Sequence, residues 1–362
     1  MSLGPLHLHV LDVGQGEAIL IDLPDGAFGL VDGGPWADAR GIIHHIDERI
    51  DQGRLFAFAA ITHRDHDHIA GLPTLLRRHR PAMVLQSNIH PDHLEAVALA
   101  LEDRKSARVS RELDAVLDDL ACGDTMVKRL GAGDRVLDLP GVELAALAPD
   151  HASEADLREA IGEGGSSRPR MAEALRRKRN ATSLVLWLRA YERNLLLPGE
   201  IDPGQAERLH HAFGTKIGRI PCLDPRVGWF KLPHHGSETA GAPQIVQYMA
   251  ATPFVASAAH GGRFGHPHPK VLAQLRADGG TPMCTQLGRG CHLALTDPRY
   301  PIAEVDRWTG DSAWKDHSAP RRPCYGKLSV TVWPDGRMEV KGGQPGPVAC
   351  AFGGPSEPLI TL

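Results

Sequence analysis

The sequence predicts an α/β fold in which strands and helices alternate along most of the chain. The first observation is a strand pattern, since Leu55 to Ile61 is an apolar run of strand length followed by a helix start. The second is a helical pattern, since apolar residues at 113, 116, 117 and 120 cover one face of the segment from Arg111 to Leu120. The chain has 362 residues, of which 42% are apolar and 23% charged. It is therefore long enough for one large α/β unit or two domains.

The first strands are predicted to form an antiparallel β-meander. Strand-like patterns run from His7 to Val10, from Ala18 to Leu23 and from Ala27 to Val31. Gly14-Gln15-Gly16 lies between the first two of these segments. It does not continue into a complete phosphate-binding glycine motif, so a tight turn is preferred over a phosphate-binding loop.

The later elements follow the same alternation. Further helices are predicted at Ala37 to Gln52 and at His90 to Asp103. Further strands are predicted at Ala82 to Gln86, Arg135 to Leu139, Val142 to Leu147, Asn180 to Arg189, Arg193 to Leu197, Trp229 to Leu232 and Phe254 to Ser257. A final hairpin is predicted from Lys327 to Val332 and Met338 to Val340. The Gly- and Pro-rich end of the chain is predicted to be a tail or loop.

A heptapeptide rich in histidine and aspartate, Thr62-His63-Arg64-Asp65-His66-Asp67-His68, lies between the strand and the helix start. Alternate residues of an extended segment point the same way, so His63 and Asp65 can face one ion. The turn beyond them can bring Asp67 and His68 to a second ion. Imidazole and carboxylate ligands together suit zinc, manganese or iron. A solvated charged loop is the alternative, but five such side chains in six positions favour a metal site.

The heptapeptide resembles the His-x-His-x-Asp-His signature of the metallo-β-lactamase superfamily, with Asp65 in place of the second histidine. Within that superfamily the chain resembles the metallo-β-lactamase-like domain of ComEC-type competence proteins, over roughly residues 6 to 290. The resemblance implies an α/β fold of the αββα four-layer sandwich type, with a site in the cleft at one sheet edge. The other stretches that carry it are Leu11 to Ala18, Leu30 to Gly34, Leu196 to Glu200, Lys231 to Ser237 and Phe264 to Pro267.

The resemblance implies a centre of two divalent ions, zinc or manganese, supported from beneath by Asp32. Glu200 stands where the superfamily normally has an aspartate that bridges the ions, and Asp202 is a weaker candidate for this role. The usual third histidine of the first ion has no clear counterpart, and Asn180 or His151 are the candidates to replace it. The implied metal ligands are His63, Asp65, Asp67, His68, Glu200 and His235.

The resemblance also implies a metal-dependent hydrolase. ComEC-type domains are associated with nuclease activity, which favours a phosphodiesterase that cuts DNA with a hydroxide activated by two ions. Asp67, His234 and His266 are the implied catalytic residues. His234 would touch the substrate, and His266 would stabilise a phosphate oxygen or protonate a leaving group, although a structural role for His266 is an alternative.

Two other functions are compatible with the sequence. Few aromatic residues for base stacking and a weak overall charge favour a hydrolase of a small phosphodiester, a nucleotide or a lactone. Glu200 and the missing third histidine suggest a non-catalytic DNA- or partner-binding module with an impaired metal site. Metal content separates this last class from the enzymes.

The chain is predicted to have one catalytic domain, residues 1–300, and a C-terminal extension, residues 301–362, packed on the same domain. Residues 150–180 are predicted to be a basic mobile insertion that ends in Arg176, Arg177, Lys178 and Arg179. These cations would contact the phosphates of DNA, while the same exposed segment would be a site for a regulatory protease. A solvated loop without either role is the alternative.

Composition limits the location and partners of the protein. A net charge of −4 gives no global attraction to nucleic acid, so DNA binding requires a local basic patch. No leader opens the chain and no apolar run approaches the ~18 residues of a membrane span, so we expect a cytoplasmic protein without membrane contact. The six cysteines are then reduced thiols or metal ligands. Cys284, Cys291, His292 and Cys324 are candidates for a structural zinc site, with unrelated buried thiols as the alternative.

Overall fold

Two β-sheets form the centre of the structure, a computed structural model that describes residues 3–88, 104–164, 179–212, 228–238, 253–256, 265–277, 281–286, 324–343 and 359–361. In chain order the described strands are β1 (Leu6–Val10), β2 (Ile19–Asp22), β3 (Phe28–Val31), β4 (Phe56–Ile61), β5 (Met83–Ser87), β6 (Met126–Leu130), β7 (Arg135–Leu139), β8 (Val142–Ala148), β9 (Val185–Ala190), β10 (Arg193–Leu197), β11 (Trp229–Lys231), β12 (Pro253–Ala256), β13 (Thr281–Cys284), β14 (Leu328–Val332), β15 (Met338–Gly342) and β16 (Leu359–Thr361). The described α-helices are α1 (Ala39–Asp51), α2 (His66–Ile69), α3 (Leu72–Arg78), α4 (Arg104–Ala121), α5 (His151–Gly164), α6 (Pro203–Ala212) and α7 (Pro269–Ala277).

Both sheets mix parallel and antiparallel pairs. The first has the strand order β16, β15, β14, β1, β2, β3, β4, β5 and β6, and the second has the order β13, β12, β11, β10, β9, β8 and β7. The strands from β3 to β6 pair in parallel, and so do those from β10 to β13. β14 pairs with β1, so the last strands of the chain extend the same sheet as the first ones.

Apolar side chains form a layer between the sheets and a layer outside each of them. Along β4, Phe58 and Ala60 belong to the inner layer, whereas Ala59 and Ile61 belong to the layer outside the first sheet. This alternation follows from the two-residue period of a strand. The inner layer joins the two sheets and includes Leu8, Val10, Phe58, Leu186, Leu188 and Trp229.

Helices cover the outer faces of both sheets. The first sheet packs against α1, α3 and α4 through side chains that include Ile46, Leu75 and Leu113. The second sheet packs against α6 and α7, where Leu209 and Leu272 are buried. The order of layers is thus helix, sheet, sheet, helix, and the predicted αββα four-layer sandwich is confirmed. Within the described ranges, no helix is long and apolar enough to cross a lipid bilayer.

Most of the predicted strands and helices that lie in the described ranges are present, and the differences have local causes. α4 begins at Arg104 rather than at the predicted Arg111, because Ala107 and Val109 extend its buried face. β6 buries only Leu130 of its five residues, and its sequence lacks the apolar run that would have predicted it. β16 pairs with β15, so the predicted tail contributes a strand. The helix predicted at His90 to Asp103 lies outside the described residues.

The region predicted to be a mobile insertion begins with a helix. α5 forms its first half and buries Leu157 and Ala160, which lie one turn apart on the same face. Residues 165–178 lie outside the described ranges, so their mobility stays a prediction. β9 begins at Val185 rather than at the predicted Asn180, because a 3-10 turn precedes it.

Candidate metal centre

The candidate site lies where the ends of parallel strands from both sheets come together. β3 and β4 are parallel, so Asp32 and Thr62, which follow them, lie at one edge of the first sheet. β10 and β11 are also parallel and lead to Glu200 and His234 at the edge of the second sheet. The amide of Leu184 donates to the carbonyl of Thr62 over 2.7 Å and joins the two edges. Loops that follow parallel strands converge in this way in α/β folds.

The heptapeptide changes from extended to helical conformation in its middle. Asp65 is extended, and α2 begins at the next residue. His63 and Asp65 consequently point the same way, with His63 Nε2 3.8 Å from Asp65 Oδ2. The helical turn carries Asp67 and His68 toward the second sheet, where His235 Nε2 lies 3.2 Å from Asp67 Oδ2 and 3.4 Å from His68 Nε2. This is the division into two groups that the alternation of the heptapeptide predicts.

The carboxylate of Glu200 lies between these two groups. Its Oε2 is 3.4 Å from His63 Nε2 and 3.5 Å from His234 Nε2. Its Oε1 is 3.3 Å from His68 Nε2 and 3.2 Å from His235 Nε2. Each oxygen therefore belongs to a different group, which is the arrangement that a bridging carboxylate needs.

The donor atoms have the spacing that a metal ion requires. Ligands bonded to zinc at about 2.0–2.1 Å in a tetrahedron lie roughly 3.3–3.4 Å from each other, close to several of the distances found here. Within each group, all candidate ligand atoms lie within 4.8 Å of one another. The residues present therefore fit divalent ions bound by imidazole and carboxylate. The two groups that share Glu200 are Asp67, His68, Glu200 and His235, and His63, Asp65 and Glu200.

Asp32 supports this site from beneath. Its Oδ1 accepts from the amide of Thr62 at 2.8 Å, and its Oδ2 accepts from the Thr62 hydroxyl at 2.6 Å. His68 Nδ1 lies 2.6 Å from the same Oδ2. The Thr62 hydroxyl in turn lies 2.9 Å from His63 Nδ1. With a proton on Nδ1, each imidazole would direct its Nε2 lone pair at a candidate ligand group, so Asp32 and Thr62 orient two candidate ligands, His68 and His63.

Charge interactions keep the carboxylates of the site ionised. Burial raises the pKa of Glu200, but the imidazoles of His234 and His63 outweigh it, so the pKa stays well below its usual range. Burial also opposes the charge of Asp67, yet the hydrogen bond from His235 and the charge of His68 hold its pKa below the ordinary value. Both groups thus offer anionic oxygen at neutral pH.

His234 and His235 lie in a strained turn. Both residues are in the left-handed region, with φ of 46° and 53°, and Gly236 follows with φ of 81°. Side chains other than glycine adopt this region rarely and at a cost in free energy. The turn is held by the His234 amide, which donates to the Gly199 carbonyl at 3.1 Å. Its effect is to direct one imidazole at each oxygen of Glu200.

The remaining predicted site residues lie around His234 or apart from the site. Asn180 Nδ2 is 3.2 Å from His234 Nδ1, and the ring of His266 lies 5.7 Å from the His234 ring. Asn180 therefore contacts an imidazole of the site and does not join the two candidate ligand groups. His151 is exposed at the start of α5. Asp202 caps α6, since its Oδ1 accepts from the Gln205 amide at 2.7 Å.

The candidate zinc residues of the C-terminal region are only partly described. Cys324 is buried next to Cys284, because the Cys324 amide donates to Thr285 and the Tyr325 amide donates to the Cys284 carbonyl. Cys291 and His292 lie outside the described residues, so the structural zinc site stays a prediction. The same holds for the basic residues Arg176, Arg177 and Lys178 and for the side chain of Arg179.

Arg64 has a structural role that was not predicted from the sequence. It lies inside the heptapeptide, yet its guanidinium points away from the metal groups. Its Nη1 donates to Asp114 Oδ1 at 2.7 Å and to Ser110 Oγ at 3.0 Å, and its Nη2 donates to Gln86 at 2.9 Å. Arg64 thus anchors the loop to α4 and β5. The alternation that aligns His63 with Asp65 is the signal that would have predicted the opposite direction for Arg64.

Comparisons with known proteins found similarity to one sequence relative and to several solved structures. No family model matches the chain. In sequence it is similar to ComE operon protein 3 of Bacillus subtilis (strain 168), with 24% identity over 217 residues, which are 60% of this chain and 22% of that protein. The chain thus covers only about a fifth of the length of that relative.

Similar solved structures are metallo-β-lactamase-fold proteins. One is a metallo-β-lactamase with a HARLDQ motif from Cronobacter sakazakii, at 16% identity and a TM-score of 0.29, covering 53% of this chain and 60% of that one. Another is Zn²⁺-bound PqqB from Methylobacterium extorquens, at 12% identity and a TM-score of 0.38, covering 78% of this chain and 99% of that one. The αββα assignment itself follows from the sheet order and the three apolar layers.

Proposed function

We propose that this protein is a metal-dependent phosphodiesterase that hydrolyses DNA. The observation that carries the proposal is the position of Glu200, whose two oxygens each belong to a different group of candidate ligands. A shared carboxylate between two such groups supports a pair of ions rather than one. When bound, two divalent ions supply Lewis-acid charge and lower the pKa of water, which suits attack on a phosphodiester.

The chain itself supplies the ligands and fixes their positions. His63, Asp65 and Glu200 would hold one ion, and Asp67, His68, Glu200 and His235 would hold the other. Asp67 lies on the more exposed side of its group, with 26% of its side chain accessible, while Glu200 and His235 are buried. Asp67 is therefore the ligand of its group nearest to an incoming substrate, and we assign it a catalytic role as well.

His234 and His266 are proposed to contact the phosphate. His234 is the most exposed imidazole of the cluster, at 22%, and Asn180 contacts its other nitrogen. Burial, together with the charges of His235 and His234, lowers the pKa of His266 to about 3. A neutral imidazole at physiological pH donates a hydrogen bond but is a poor acid. We therefore assign His266 to a phosphate oxygen rather than to protonation of the leaving group.

DNA as the substrate is supported by the resemblance to ComEC-type domains, which are associated with nuclease activity. The segment from Arg168 to Arg179 adds a local basic stretch to a chain whose net charge is −4. If this segment binds DNA, neutralising Arg176, Arg177, Lys178 and Arg179 flattens the salt dependence of binding by roughly 0.9 for each phosphate that is no longer neutralised. An unchanged salt slope would exclude this role. Cleavage of the segment by a protease should then lower activity, whereas a regulatory role that uncovers the site predicts a rise.

The test is a cleavage assay with plasmid and linear DNA in the presence of Mn²⁺, Zn²⁺, Mg²⁺ or a chelator. We expect cleavage that depends on the ion, disappears with the chelator and disappears in Asp67→Ala. Asp202→Ala is the matched control, because Asp202 is a nearby carboxylate that caps a helix and lies outside both ligand groups. Cleavage that is equal in Asp67→Ala would contradict the proposal.

A hydrolase of small substrates is the second candidate, favoured by the weak net charge and the 5% aromatic content. Bis(p-nitrophenyl) phosphate and a simple lactone distinguish it from the nuclease in the same assay. Metal-dependent turnover of these probes without DNA cleavage would favour the second candidate. A chain that binds DNA, contains no metal and turns over none of these substrates would instead be a binding module.

A further inference from the structure

We propose that Glu17 and Lys231 form a positioning ion pair that fixes the metal-ligand loops of the two sheets relative to each other and so sets metal affinity. The inference rests on the proposed metal site, but not on the identity of the substrate. Glu17 belongs to the Leu11 to Ala18 motif, and Lys231 opens the Lys231 to Ser237 motif. The proposed ligand set uses neither residue.

The pair is buried and short. Lys231 Nζ lies 2.5 Å from Glu17 Oε2, and both side chains have no exposed surface. Lys231 Nζ also donates to the Leu232 carbonyl at 2.9 Å. Removing two charges from water is costly, and well-packed apolar side chains often stabilise a fold as well or better. Stability alone therefore does not account for a buried pair at this position, whereas a requirement for fixed geometry does.

Glu17 is connected through its backbone to the loops of the first sheet. Its amide donates to the Asp67 carbonyl at 3.2 Å, and its carbonyl accepts from the Gly34 amide at 2.8 Å. Gly16, with φ of 143°, lies so close that a Cβ there would overlap the Asp67 carbonyl oxygen. One residue thus holds the loop that carries Asp67 and the loop that begins with Asp32.

Lys231 reaches Glu17 from the second sheet. In β11, Trp229 belongs to the layer between the sheets and Phe230 to the outer layer. By the alternation of a strand, Lys231 points inward again, toward the first sheet. It is the last residue of β11 and lies three and four positions before His234 and His235. The ion pair therefore links the Asp67 loop of one sheet to the strand that delivers His235 from the other.

This link acts where the metal group is assembled from both sheets. Asp67 and His68 come from the first sheet, and His235 comes from the second. A small shift of one sheet edge relative to the other changes the spacing of these ligands without removing any of them. Residues that hold metal ligands in place typically contribute about 10- to 100-fold to metal affinity.

The experiment compares the wild type with Lys231→Met, Glu17→Gln and the double variant Glu17→Gln/Lys231→Met. Each single variant leaves one buried group without its partner, so a loss of stability is expected in both. The double variant removes both charges together and is expected to unfold close to the wild-type temperature. Mn²⁺ and Zn²⁺ affinity is measured by calorimetric titration, and ligand geometry by the visible absorption of bound Co²⁺.

In the double variant we expect metal affinity to fall about 10- to 100-fold and the Co²⁺ spectrum to change, while the melting temperature without metal stays near that of the wild type. Lys231→Arg, which keeps the charge but alters the reach, is expected to give an intermediate affinity. Asp22→Asn is the control for stability alone, because it breaks a buried ion pair at the opposite ends of the strands.

Wild-type affinity and spectrum in both the double variant and Lys231→Arg would overturn the inference. If the double variant does not fold, Lys231→Arg alone decides by the same criterion. A wild-type protein that binds no metal would also remove the basis of the proposed function. If the wild type binds metal and the variants bind it equally well, only the positioning role of the Glu17–Lys231 pair is contradicted.

Discussion

Two buried ionic clusters lie near opposite ends of the strands β2 and β3, one around Asp22 and the other around Glu200. At one end, Asp22 accepts from Arg49 at 2.6 and 2.9 Å, lies 3.0 Å from Arg54 Nη1 and contacts His9 at 3.2 Å. At the other end, the ion pairs that Glu200 makes with described residues are all with imidazoles. The clusters are similar in burial but differ in the cations that face the acids.

This difference shows why only one of them is a candidate site. A guanidinium stays protonated and has no lone pair to offer, so Asp22 is already satisfied by Arg49 and Arg54. An imidazole can give up its proton near neutral pH, and its neutral form then offers a lone pair that binds metal. A buried acid alone is therefore weak evidence for function, and the identity of its partners decides.

The largest expected effect comes from Glu200→Gln, which removes the charge shared by both ligand groups. We expect bound metal to fall to one ion per chain or fewer, and metal-dependent hydrolysis to fall by more than about a hundredfold. This exceeds the loss that is typical when a residue that only hydrogen-bonds to a metal ligand is removed. Elemental analysis and initial rates measure the two effects. Retention of wild-type metal content and rate in this variant would show that Glu200 is not the bridging ligand.

A smaller effect on the same cluster is expected for Asp32→Asn. The amide keeps the volume of the side chain but weakens its hydrogen bonds to Thr62 and His68. The orientation of His68, and that of His63 through Thr62, is then lost. We expect metal affinity to fall about 10- to 100-fold with the ligands themselves intact. Metal titration tests this, and an affinity equal to that of the wild type would mean that Asp32 serves folding alone.

Asp22→Asn, at the other end of the strands, is expected to lower stability without changing metal affinity. Burial raises the pKa of Asp22, but hydrogen bonds from His9 and Arg49 outweigh it and hold the pKa well below its usual range. Because the folded-state pKa is lowered, this stabilisation is present above the unfolded value of about 3.9 and is lost as the pH falls through the folded value. We expect the variant to lose about 3 kcal/mol at neutral pH and to keep its metal affinity. Urea denaturation at pH 7 and pH 3 should show a difference from the wild type that shrinks in acid.

Sequence patterns predicted the alternation of strands and helices and the two-sided heptapeptide, because both depend on local spacing, whereas the four-layer arrangement was implied by the family resemblance. They did not predict that His234 and His235 would occupy the left-handed region, since nothing in Pro233-His234-His235 requires it beyond the glycine that follows. They also did not pair Glu17 with Lys231, because residues more than two hundred positions apart meet only after both sheets have formed.

The smallest expected effect is that of Asp202→Ala. Asp202 is two residues from Glu200 but serves as the cap of α6. We expect a loss of about 1 kcal/mol in the free energy of unfolding, typical of a removed helix cap, with metal content unchanged. Thermal unfolding and elemental analysis check the two halves of this statement. A clear loss of metal would move Asp202 into the site and weaken the comparison with Glu200.

The number of ions per chain tests the central claim most directly. The purified protein would be stripped with a chelator, reconstituted with Zn²⁺ or Mn²⁺, freed of excess ion and submitted to elemental analysis. The geometry around Glu200 predicts two ions per chain in the wild type, and no more than one in Glu200→Gln. A wild-type content well below one ion per chain would contradict the metal centre and, with it, the proposed hydrolysis.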